Sequence, residues 1–185
     1  VPLTPFQKRK LDRMFSTLDL NGDGLVDRAD FTRRVEAFAR RCGWEEGSPE
    51  YLRNLQFTLE EWHNLCESAD VNENGNVTRE EFLRYGDIFL DDRAAVRAYA
   101  RGDVQLLFDA MDTDGDGRVT GDEYRVYLEV CGIDTSGADA FFAHADVNQD
   151  GRITRDEMAH AVEEFLLSEN PGAGGNHLFG PLGRG

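Results

Sequence analysis

Asp112-Thr113-Asp114-Gly115-Asp116-Gly117-Arg118-Val119-Thr120-Gly121-Asp122-Glu123 decides how the rest of this chain is read. Counting Asp112 as position one, oxygen-bearing side chains stand at positions one, three, five and nine: Asp112, Asp114, Asp116 and Thr120. Glycine holds position six, where a backbone wrapping a single point must turn sharply. Arg118 at position seven offers its main-chain carbonyl, and position eight is the β-branched Val119. Glu123 at position twelve can close with two oxygens. A hard divalent cation takes about six to eight oxygen ligands, and this spacing gathers them around one centre. The stretch reads as a calcium loop.

The pattern returns three more times. Asp19-Leu20-Asn21-Gly22-Asp23-Gly24-Leu25-Val26-Asp27-Arg28-Ala29-Asp30 offers Asp19, Asn21, Asp23, the Leu25 carbonyl, Asp27 and Asp30. The stretch 70–81 offers Asp70, Asn72, Asn74, the Asn76 carbonyl, Thr78 and Glu81. The stretch 146–157 offers Asp146, Asn148, Asp150, the Arg152 carbonyl, Thr154 and Glu157. Differences between the copies rank them. Asp30 is one methylene shorter than glutamate and is expected to reach the ion with one oxygen, which moves loop one toward the six-fold geometry magnesium accepts. Asp27 adds a carboxylate that offsets the loss. Loop two keeps only Asp70 and Glu81 as charged ligands, so it is expected to be the weakest of the three ending in glutamate. Up to four calcium ions are expected, with magnesium most at home in loop one.

Each loop needs a helix on either side, and the apolar spacing supplies them. Thr4-Pro5-Phe6-Gln7 reads as a helix start, with Leu11, Met14, Phe15 and Leu18 on one face. Phe31, Val35 and Phe38 lead out of loop one. After the breakers Gly43, Gly47 and Ser48, Pro49 is expected to begin a short helix, and Thr58-Leu59-Glu60-Glu61 to cap a separate one carrying Trp62 and Leu65. Phe82, Tyr85 and Phe89 follow loop two, and 91–100 reads as further helix. Gly86 and Gly102 are candidate joints between halves, and Asp103 a candidate cap for the helix of Leu107, Phe108 and Met111. Tyr124, Tyr127 and Leu128 leave loop three. Gly132 ends that helix, and Thr135 or Ser136 starts the helix of Phe141 and Phe142. Met158, Ala161, Val162 and Phe165 form the last face.

Position eight is Val26, Val77, Val119 and Ile153, so paired loops should meet in a short antiparallel contact that buries both side chains. Such coupling lets two loops share their ordering cost and permits positive cooperativity. In the last three loops threonine at nine and glutamate at twelve also form a capping box, which ties ion binding to helix order.

The fold class is therefore all-α: four helix-loop-helix units in two pairs, 1–101 and 102–169, in one compact body with short β contacts between loops. A tail, 170–185, carries Leu178 and Phe179, which either fray or fold back into the cleft. With 185 residues, 40% hydrophobic content and 12 Phe, the chain can bury a core. A net charge of −16 argues against nucleic acid or anionic membrane as a partner. Four divalent ions would halve that charge, and without them the crowded carboxylates should loosen the fold. Cys42, Cys66 and Cys131 are odd in number and far apart, which fits buried thiols better than disulfides. No run is long enough to span a membrane, and the start is not a signal peptide, although Val1 in place of Met suggests that a short segment precedes it. A cytoplasmic monomer is the default.

The four loops, the long interval between the first two, Asp30 at the end of Val26-Asp27-Arg28-Ala29-Asp30-Phe31, and the apolar tail together resemble the EF-hand proteins. More narrowly, they are similar to the sarcoplasmic calcium-binding proteins and calerythrin. The resemblance implies two EF-hand pairs acting as a high-affinity calcium buffer, often with one degenerate site, which in calerythrin-like proteins tends to be the second. Here the stretch 70–81 keeps every ligand position, so four competent sites are expected. The alternative is a sensor that exposes an apolar groove to a protein target. Such grooves are rich in methionine, and this chain has 3 Met, so the buffer reading leads. The remote alternative is a photoprotein-like oxygenase holding a chromophore. Trp44, Tyr51, Trp62, His63, Tyr124 and His144 show no spacing that singles out a catalytic site, so no enzyme is expected.

Overall fold

The structure, a computed structural model, describes residues 2–102 and 104–182, and within them nine α-helices alternate with four very short strands. Helix α1 (Pro5–Leu18) starts as its residues require: the Thr4 hydroxyl accepts from the Gln7 amide, and the Gln7 side chain accepts from the Thr4 amide. Strand β1 (Leu25–Asp27) passes directly into α2 (Arg28–Cys42), which ends at Gly43 in the left-handed conformation, φ 73°. Next come α3 (Pro49–Ala69), β2 (Asn76–Thr78) and α4 (Arg79–Asp91). Helix α5 (Arg93–Arg101), capped by Asp92, completes the first half. The second half holds α6 (Val104–Met111), β3 (Val119–Thr120), α7 (Gly121–Val130), α8 (Ala138–Ala145), β4 (Arg152–Ile153) and α9 (Arg155–Leu167).

Three expected boundaries are corrected. Thr58 starts no helix: α3 runs unbroken from Pro49, with Ser48 as its N-cap, because 53–57 contains neither glycine nor proline. Thr58 instead lies buried in the middle of α3. Gly86 is not a joint either. It sits inside α4, where an added Cβ would collide with the Leu11 side chain, so its role is the close approach of α1 to α4. The expected cap Asp103 lies outside the described residues. Nor does Thr135 or Ser136 start the helix of Phe141 and Phe142: both lie in a 3-10 turn, Thr135–Gly137, capped by Asp134, and α8 begins after it at Ala138.

The paired loops meet as two separate antiparallel ribbons, β1 with β2 and β3 with β4. Val26 faces Val77 and Val119 faces Ile153, and all four are fully buried. One apolar core runs through both halves, with Phe31, Phe38, Trp62, Phe108, Tyr124, Tyr127, Phe141 and Phe165 in it. Helix α2 lies against α7, bringing the Phe38 and Tyr127 rings to 6.3 Å. Arg34 of α2 is buried there and pairs with Glu61 of α3, which answers the cost of burying a lone guanidinium.

The tail docks. After α9 it forms a second 3-10 turn, Gly174–His177, and buries Leu178 and Phe179. The Tyr124 hydroxyl donates to the Leu178 carbonyl at 2.8 Å, and the Phe165 and Phe179 rings meet edge to face at 5.2 Å. Helix α1 holds the same region: Lys10 Nζ donates to the Phe165 and Ser168 carbonyls, both at 2.5 Å, and Arg13 Nε to the Phe179 carbonyl. Cys131 is buried, whereas Cys42 and Cys66 are half-buried, and all three are free thiols.

Candidate metal centres

Each loop is wound by closely similar hydrogen bonds, with loop three differing in one donor to its first carboxylate. The position-one carboxylate accepts main-chain N–H groups from further along the loop. Asp19 takes Asp23 and Gly24 at 3.1 and 2.9 Å, and Asp70 takes Asn74 and Gly75 at 3.2 and 2.8 Å. Asp112 takes Gly115 and Gly117 at 2.8 and 3.0 Å, and Asp146 takes Asp150 and Gly151 at 3.1 and 2.8 Å. The position-five oxygen of Asp23, Asn74, Asp116 or Asp150 accepts from the position-seven amide at 2.9 to 3.0 Å. That bond fixes the main chain at Leu25, Asn76, Arg118 and Arg152, the residues that would offer their carbonyls to an ion. These windings require left-handed backbone at position four. Glycine supplies it in loops one and three, but Glu73 (φ 57°) and Gln149 (φ 59°) hold it in loops two and four. A side chain there costs on the order of 1 kcal/mol.

Position twelve closes the loop. Glu123 Oε2 accepts from the Thr120 amide and hydroxyl, at 2.9 and 2.8 Å, while Oε1 accepts from the Thr113 amide at 3.0 Å. Glu157 repeats this with Thr154 and Val147. Glu81 repeats the Thr78 contacts but takes the Asn72 amide group at 2.6 Å instead of a main-chain N–H. The capping-box reading thus holds in all three. It extends to loop one, where Asp27 caps α2 and Asp30 answers it: Asp30 Oδ2 accepts from the Asp27 amide at 3.1 Å and Oδ1 from the Asn21 amide at 3.2 Å. Its side chain is fully buried. The shorter residue thus spans the loop with both oxygens by sitting deeper.

Burial pushes the Asp30 carboxyl above its ordinary value, against the Asp27 and Asn21 amides. Burial likewise raises Asp112, opposed by Gly117 and Gly115. For Glu157 and Asp70 burial also pushes upward, but hydrogen bonds from Thr154 in one, and from Gly75 and Asn74 in the other, outweigh it and hold both below the usual range.

A calcium–oxygen distance of about 2.3–2.6 Å allows ligand oxygens on one ion to lie up to about 5 Å apart. Asp112, Asp114 and Asp116 satisfy this, with carboxylate oxygens within 4.8 Å of one another. Among the described residues no other carboxylate trio is gathered so tightly. The arrangement of all-oxygen donors on a pre-turned loop fits calcium, whose role would be to draw the entering and exiting helices to one point.

Several contributors were not evident from spacing alone. Arg53 of α3 donates to the Thr113 carbonyl at 3.0 Å, clamping loop three from the other half of the molecule. Arg118 and Arg152 cross between loops three and four. The partner of a position-seven side chain appears only once the strand register is known, although an arginine there in both loops of an acidic pair was a visible signal.

Comparison with known proteins agrees with this geometry. A family model described as an EF-hand domain pair matches residues 8–85, a second pair model matches 97–131, and an EF-hand model matches 138–162. The chain is 28% identical over 166 residues to calerythrin of Saccharopolyspora erythraea, covering 88% of this chain and 93% of that one. It is 30% identical over 178 residues to the sarcoplasmic calcium-binding protein beta chain of Penaeus sp., covering 89% and 90%. In fold it is similar to the coelenterazine-binding protein of Renilla muelleri, with TM-score 0.78 at 23% identity over 96% of this chain and 99% of that one. Four wound acidic loops on two ribbons, with sequence kinship along nearly the whole length, place the chain among the EF-hand calcium-binding proteins of the sarcoplasmic calcium-binding type.

Proposed function

We propose that the chain is a calcium buffer with four competent sites, its ligands being the residues at positions one, three, five, seven, nine and twelve of each loop, and with magnesium competing mainly at Asp30 in loop one. The two pairs, 1–101 and 102–169, act as one body because a single core joins them. The observation that carries the buffer reading is the docked tail. Leu178 and Phe179 fill apolar space between helices that a sensor would offer to a target. The large apolar side chains left at the surface include Leu52, Val71, Ile88 and Val147. Calorimetric titration with calcium, with and without millimolar magnesium, tests the site count: four ions are expected, and fewer than three refutes it. Apolar-dye fluorescence tests the role, since a large calcium-induced rise would favour the sensor.

A second reading is favoured by one feature. A cavity of about 140 Å³ lies between the halves, with Leu11, Phe82, Tyr85, Tyr99, Tyr127 and Phe179 among its walls. A cavity of about 150 Å³ is enough to hold benzene, so a small aromatic molecule would fit, as a carried ligand rather than a substrate. Its relation to the coelenterazine-binding protein of similar fold is tested by an absorption scan of purified protein and by titration with indole. Absence of saturable binding removes this reading.

A further inference from the structure

The C-terminal loops share a feature that the N-terminal loops lack. Arg118, at position seven of loop three, reaches Asp150, at position five of loop four, with Nη1 to Oδ2 at 3.4 Å. Arg152, at position seven of loop four, reaches Asp116, at position five of loop three, at 2.6 Å. The two contacts are reciprocal across the antiparallel β3–β4 ribbon, where Arg152 faces Thr120. In the N-terminal pair the same ribbon exists, but Leu25 and Asn76 hold position seven, and neither carries the charge for such an ion pair.

We propose that Arg118 and Arg152 are positioning residues that couple ion binding in loops three and four, an inference that rests on the calcium-binding reading of those loops. Each position-five carboxylate is held at both oxygens. Asp116 Oδ1 accepts the Arg118 amide of its own loop, while Oδ2 accepts the Arg152 guanidinium of the other; Asp150 is held the same way by Arg152 and Arg118. An ion that fixes Asp116 therefore restrains Arg152. The main chain of Arg152 carries the loop-four carbonyl and the N–H that sets Asp150. Ordering one loop thus covers part of the ordering cost of its partner, and the linkage is reciprocal. The arginines are 44% and 46% exposed, so each contact is weak and screened by salt. Their effect is on coupling more than on mean affinity.

The test uses the full-length, isotope-labelled chain and reads one loop after changing the other. In the metal-free protein, Arg118→Gln should speed hydrogen exchange at the Arg152 amide about two- to fivefold, the fold-change of one half-exposed pair. Arg152→Gln should do the same at the Arg118 amide. On calcium titration the Gly117 and Gly151 amides, which donate to Asp112 and Asp146, report each loop separately. In Arg118→Gln/Arg152→Gln the ratio of second to first stepwise constants should fall about three- to tenfold. The N-terminal pair should be unaffected. Exchange effects confined to the substituted loop, or an unchanged ratio, overturn the coupling. Failure of the unaltered protein to bind calcium at these loops sinks the calcium reading instead, and the metal-free exchange result separates the two failures.

Discussion

Replacing Leu178 by alanine asks whether the tail is part of the fold or an appendage lying on it. Leu178 is fully buried, and its carbonyl accepts from Tyr124, the residue after the loop-three glutamate. The substitution removes three carbons. At about 0.8 kcal/mol per buried methylene the lost transfer energy is about 2.4 kcal/mol. Incomplete collapse of the vacated space adds about 1–2 kcal/mol, at about 24 cal/mol per Å³. The expected loss is therefore about 3.4–4.4 kcal/mol. For a chain of this length that corresponds to about 7–18 °C in thermal midpoint. Urea unfolding with saturating calcium, in both proteins, measures it as a shift of midpoint at constant slope. Partial release of the tail should also raise apolar-dye binding while leaving the number of bound ions unchanged. A loss under about 1 kcal/mol, with no dye response, would refute the reasoning, because a docked leucine cannot be removed so cheaply. The buffer reading would lose its main support with it.

Three further outcomes are expected. Asn72→Asp with Asn74→Asp gives loop two the charge count of loop three, and calorimetry should show its calcium affinity rising about tenfold or more; no change would mean that charge is not what limits that site. Asp30→Glu lengthens a side chain whose two oxygens already reach the Asn21 and Asp27 amides, so calcium should gain over magnesium in loop one by about tenfold in competition titrations. Lys10 gives a pH signature. Burial lowers its ammonium from 10.5 to about 8, although Glu164 and Glu169 pull the other way. Between those values the unfolded chain keeps a proton that the folded chain has released, so stability contributed by this group rises with pH across that window and is absent below it. Lys10→Met should remove that rise, seen as a difference between the two proteins' urea midpoints from pH 8 to 10; identical pH profiles would contradict the burial of Lys10.

The loops and their flanking helices were legible in the sequence because their causes are local. Ligand spacing, the position-six glycine and the threonine–glutamate capping box are each set within twelve residues, and the structure winds all four loops as those residues require. The facing of Val26 with Val77 and of Val119 with Ile153 was also readable, since a β-branched residue recurred at one position in every copy. Where local signals competed, reading by fragments failed. Thr58-Leu59-Glu60-Glu61 has the residues of a helix start, yet α3 runs through it, since Ser48 already caps the helix and nothing between breaks it. Gly86 has the composition of a joint, yet it is a point of contact whose reason is Leu11, 75 residues away in sequence.

What the sequence determined by itself was the make-up of each candidate ion site: which oxygen-bearing residues, in what order, with how much charge. Tertiary structure alone decided what those sites are attached to. The choice between a frayed and a docked tail depended on apolar space between helices from both halves, which no single stretch encodes. The crossing of Arg118 and Arg152 depended on which loops pair and in what register. Long-range contacts such as Arg53 on the Thr113 carbonyl and Lys10 at the end of α9 follow from packing, because they join residues that only the folded core brings together.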